Sequence, residues 1–82
     1  MNLRKIKFVN TETRLERVHR VLDELVELEE AVVKDTNIAE ETGDVILAAY
    51  QMFHHLGYSA KDVYSMMSTI EEKNDRRGYY TQ

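Results

Sequence analysis

The stretch LERVHRVLDELVELEEAVV, residues 15–33, decides the fold class. Leu15, Val18, Leu22, Leu25, Leu28 and Val32 recur at intervals of three and four, which puts them on one face of a helix. Thr13 followed by Glu16 has capping-box spacing, with Thr11 as an equal candidate start, and the helix is expected to end near Val33 or Lys34. The polar segment KDTN, 34–37, follows. Asn37 with Glu40 repeats the capping-box signature and opens a second helix that runs to about His55, with Gly57 as its stop. Ser59 with Asp62 opens a third, carrying Val63, Met66, Met67 and Ile70 and fading around Arg77-Gly78. Pro is absent and the only glycines are 43, 57 and 78, so few breakers interrupt the helices. Short connections between amphipathic helices predict an all-α antiparallel bundle of three main helices.

The whole chain of 82 residues reads as one domain, with residues 1–10 as an N-terminal arm and 78–82 as a tail. A core of this size is marginal and no cysteine is present to staple it, so the bundle is expected to be completed by oligomerisation. A formal charge of −4 argues against non-specific nucleic-acid binding. No apolar run approaches the roughly 18 residues that cross a bilayer, and no signal-peptide core opens the chain, so a cytoplasmic protein without membrane contact is expected.

On the second helix Val45, Ile46, Ala49, Met52, Phe53 and Leu56 share a broad apolar face, bordered by a stripe of Glu41, Asp44, Ala48, Gln51 and His55. On the first, Glu24 and Glu27 lie three apart, with Arg17 and Arg20 one turn earlier. Two such pairs on antiparallel neighbours can converge, and four carboxylates in one place repel unless cations neutralise them. Hard oxygen donors without cysteine suit Mg²⁺ or Mn²⁺. The alternative is that these acids are ordinary solvated surface, since Glu is a good helix former. The third helix turns basic at its end: Lys73, Asn74 and Arg77 either hold phosphate oxygens or simply complement the helix dipole. The methionines fit a core or interface, His19 a packed or interfacial position, and His54 and His55 the end of a helix, where the dipole favours them. His55, on the acidic stripe, is also a candidate for touching substrate or metal. Phe8, Tyr79 and Tyr80 are the aromatic candidates near the termini.

DELVELEEA (23–31), EETGDVILAAYQMFHHLG (40–57) and EKNDRRGYY (72–80) together resemble the MazG-like all-α nucleoside triphosphate pyrophosphohydrolases. The family pattern is ExxE, a spacer, ExxD and a downstream basic segment. Glu24 and Glu27 match the first pair, and Glu41 and Asp44 the second. The spacer, residues 28–40, is at the short end for the family, and Ile70 stands where relatives commonly carry a Lys. The resemblance implies Mg²⁺ held by the four acids and cleavage between the α- and β-phosphates of a nucleoside triphosphate. It also implies a homodimer or homotetramer. Glu27 or Glu41 would accept the proton of the attacking water, and Lys73, Asn74 and Arg77 would hold the triphosphate. Two other readings share the pattern: a non-catalytic helical oligomerisation or regulatory module, and a phosphoribosyl-ATP pyrophosphohydrolase.

Overall fold

The computed structural model describes residues 12–80 and consists of α1 (Arg14–Lys34), α2 (Ile38–His55) and α3 (Ala60–Arg76), with no strand among the described residues. The chain is an all-α helical bundle, as its periodicity predicts. The expected arm over residues 1–10, with Phe8, lies outside the described residues. Among the described residues no helix is long and apolar enough to cross a membrane.

Two of the three expected capping boxes form. The Thr13 hydroxyl accepts from the Glu16 N–H at 3.0 Å, and the Glu16 carboxylate accepts from the Thr13 N–H at 3.2 Å, so Thr13 rather than Thr11 opens α1. Ser59 and Asp62 reciprocate in the same way at 3.1 and 3.0 Å. Asn37 does not. It occupies the N-cap of α2 in the left-handed region, φ 56°, and its side chain makes no cap hydrogen bond. A capping side chain reaches the N2 or N3 N–H from an extended backbone. The tight turn at Asp35–Asn37, with Asp35 also left-handed, denies Asn37 that conformation.

All three helices close alike. Asp35, Gly57 and Gly78 take positive φ. The next residues, Thr36, Tyr58 and Tyr79, donate their N–H groups to the oxygens of Ala31, Phe53 and Asn74, each at 3.0 Å. These are the six-to-one bonds of a Schellman closure. They confirm Gly57 as the stop of α2.

Close backbone packing joins α1 to α2, which run antiparallel. The face of α1 that meets α2 shares only Leu28 with its apolar stripe. Arg17, Val21, Glu24, Leu28 and Ala31 are buried or half-buried along α1, and Glu41, Val45, Ala48 and Gln51 along α2. The small side chains Ala31 and Ala48 permit close approach, so the stripe expected to border the core is instead part of the seam. The apolar stripes lie beside it and stay open: Leu15 is 63% exposed, Leu22 51% and Ile46 54%. Among the described apolar residues only Ala31 and Val63 are fully buried. Val18, Val21, Ala49, Met52, Phe53 and Leu56 line one open apolar groove of the helix pair. A second, lined by Ile46, Phe53, Val63 and Met67 among others, lies between α2 and α3.

Candidate metal centre

Antiparallel packing puts residue 24 of α1 opposite the first turns of α2. The i,i+3 spacing of Glu41 and Asp44 sets both carboxylates toward it. Glu24, Glu41 and Asp44 each offer an oxygen within 4.8 Å of the others; Glu24 and Glu41 are half-buried and Asp44 is exposed. Oε2 of Glu24 and Oε2 of Glu41 are both buried, and neither accepts a hydrogen bond of ordinary geometry among the described residues.

The electrostatics agree with the geometry. Burial pushes the Glu24 carboxyl above its ordinary range, and the charge of Glu27, a hydrogen-bonding contact with the same carboxylate, and the charges of Asp44 and Glu41 push the same way. Burial also raises Glu41, reinforced by Glu27, Asp44 and Glu40. Glu27 is exposed and stands outside the trio, yet it lies close enough to raise both. All four predicted acids therefore meet, three of them converging and Glu27 at the edge.

A divalent cation would cancel the repulsion among these carboxylates. The donor set fits by its chemistry: it is all oxygen, the hard donor that Mg²⁺ takes.

The three basic-segment residues are placed elsewhere. Lys73 and Arg77 are exposed on α3, and Asn74 is half-buried, its Nδ2 donating to the Tyr80 hydroxyl at 3.5 Å. None of the three lines the clefts that the carboxylates line. His55 is half-buried, His19 is exposed, and the His54 ring meets Tyr50 edge-on with centroids 4.8 Å apart.

What sequence reasoning missed is a buried ionic group beside the trio. Arg17 is only 1% exposed; its Nη1 donates to Glu12 Oε2 at 3.1 Å, while its Nε is buried without a partner. Arg20 Nε donates to both Glu12 oxygens, at 2.8 and 2.9 Å. The Arg20 hydrogen bond foremost, then Arg17, holds the Glu12 carboxyl below its ordinary range against the opposing effect of burial. Arg17 and Glu24 are seven residues apart, two turns of one helical face, and that spacing was the available signal. Glu12 precedes the helix and carried none. Arg17, Arg20, Glu24, Asp44 and the buried Gln51 share one cleft of about 230 Å³.

No family model matches the chain, and no curated protein or solved structure matches it either.

Proposed function

We propose that the protein is a Mg²⁺-dependent nucleoside triphosphate pyrophosphohydrolase that cleaves between the α- and β-phosphates, giving a nucleoside monophosphate and pyrophosphate. One observation carries this reading: carboxylates from separate helices, Glu24 on α1 with Glu41 and Asp44 on α2, each offer an oxygen within 4.8 Å of the others, and Glu24 and Glu41 each bury an oxygen as well. A solvated acidic surface would not bury its oxygens.

Glu24, Glu41 and Asp44 would hold the ion, with Mn²⁺ as a possible substitute. Bound there, it would neutralise phosphate charge and lower the pKa of a coordinated water. Glu27, exposed and outside the trio, is the carboxylate left to accept the water proton. Attack at the α-phosphorus then forms one P–O bond and breaks the bond to the bridging oxygen, which leaves with pyrophosphate.

The same reading includes a homodimer or homotetramer. Large exposed apolar side chains on both α1 and α2 support it, because a lone chain with so few buried apolar residues lacks the burial that offsets chain entropy.

The test is pyrophosphate release from a panel of ribo- and deoxyribonucleoside triphosphates with Mg²⁺. Release that disappears in Glu41→Gln and Asp44→Asn, with the fold retained, is the expected result. Absence of release from every substrate by a folded, assembled protein would favour the non-catalytic module.

A further inference from the structure

Arg20 stands one turn before Glu24 on α1, and oppositely charged residues at that i,i+4 spacing meet readily across a helix surface. Both line the cleft beside the acidic trio. Arg20 nevertheless turns the other way. Its Nε donates to both oxygens of Glu12, at 2.8 and 2.9 Å, eight residues back along the chain. Glu12 is only 8% exposed, and the buried Arg17 donates to the same carboxylate at 3.1 Å. A carboxylate shielded from water and already fixed by one guanidinium holds a second more firmly than a mobile surface acid does.

Without Glu12, Arg20 has three acids within about a turn of it: Glu16, Asp23 and Glu24. Glu16 is exposed and already engaged, its carboxylate accepting from the Thr13 N–H. Asp23 is exposed, where solvent and salt screen its pull. Glu24 is half-buried and converges with Glu41 and Asp44, so three negative charges draw a cation to one place. A guanidinium drawn there neutralises the carboxylates that a divalent ion needs, and the two cations compete.

We propose that Glu12 is a positioning residue that withholds Arg20 from Glu24 and so keeps the acidic trio open to a divalent cation. The inference rests on the reading of Glu24, Glu41 and Asp44 as a metal centre. It gives the buried Glu12–Arg17–Arg20 group, which supplies no ligand to that centre, a part in its working.

Calorimetric titration of the full chain with Mn²⁺ tests it on wild type, Glu12→Gln, Arg20→Gln and the double variant, with helicity followed by circular dichroism. Gln at position 12 keeps a carbonyl for Arg17 and removes the charge that holds Arg20. Glu12→Gln is expected to weaken Mn²⁺ binding by about threefold or more, the scale of one ion pair at a partly exposed site. Arg20→Gln should then tighten binding more in the Glu12→Gln background than in wild type, because only there does Arg20 occupy Glu24. A general charge effect would instead make the two substitutions add, and a purely structural loss would not be rescued. In metal-free Glu12→Gln, the Arg20 Nε–H should also gain a nuclear Overhauser contact to the Glu24 side chain that wild type lacks. Should Glu12→Gln fail to fold, Glu12→Asp, which keeps the charge on a shorter arm, takes its place. Unchanged affinity in the folded Glu12 variant, or additive effects, overturns the proposal and leaves the metal centre standing. No Mn²⁺ binding by wild type removes the metal centre and the proposal with it.

Discussion

Glu24 on α1 and Glu41 on α2 each offer a carboxylate oxygen within 4.8 Å of the other's, and each has its Oε2 buried. The two carboxyls are raised by burial first and by neighbouring negative charge second. In the metal-free protein this pair is therefore a source of instability as well as a ligand set. Glu41→Gln is expected to raise the metal-free melting temperature while lowering pyrophosphate release by about a hundredfold or more, the order lost with one electrostatic stabiliser of the transition state. Thermal unfolding and a release assay on the same preparation check both halves.

The pH dependence follows with its sign. Glu24 and Glu41 titrate higher folded than unfolded, so the folded state binds more protons between their ordinary value of 4.5 and the raised ones. Metal-free stability should fall as pH rises through that interval. Saturating Mg²⁺ should flatten this limb. Glu12 and Asp62 act oppositely: hydrogen bonds lower both, from Arg20 foremost for Glu12 and from the Ser59 backbone for Asp62. Their stabilisation is present above the ordinary values of 4.5 and 3.8 and is lost as pH falls through the lowered ones. Melting temperatures across pH 3–8, with and without Mg²⁺, should show a mildly acidic maximum only in the metal-free series.

Ser59→Ala removes the hydroxyl that accepts the Asp62 N–H at 3.1 Å and should cost about 1 kcal/mol in urea unfolding. Asn37→Ala, by contrast, should cost less, because the Asn37 side chain makes no cap hydrogen bond.

Gly43 lies inside α2, where a Cβ would meet nothing within 4 Å. Gly43→Ala should stabilise the chain by roughly 0.5–1 kcal/mol through helix propensity alone. A loss of stability in urea titration would show that another subunit approaches this position.

Ile46→Lys places a charge on a side chain 54% exposed in the single chain and lining the α2–α3 groove. Light scattering should give a wild-type mass that is a multiple of 9.7 kDa and a smaller mass for the variant, with helicity kept. A wild-type monomer would remove the oligomer from the proposal.

The sequence by itself determined what depends on neighbours within one turn: three helices, the capping boxes at Thr13 and Ser59, and the stops at Gly57 and Gly78. These are set by spacings of three and four residues and by single backbone angles. The paired spacing of Glu24 with Glu27 and of Glu41 with Asp44 was legible for the same reason. Only the tertiary structure decided which stripe of α1 meets α2. Both helices carry an apolar face and a polar stripe, and close approach at Ala31 and Ala48 selects the border between them. That choice buries Glu24 and Glu41, seats Arg17 on Glu12 and leaves Leu22 and Ile46 open. Helix crossing is a contact between residues distant in sequence, so no local period encodes it.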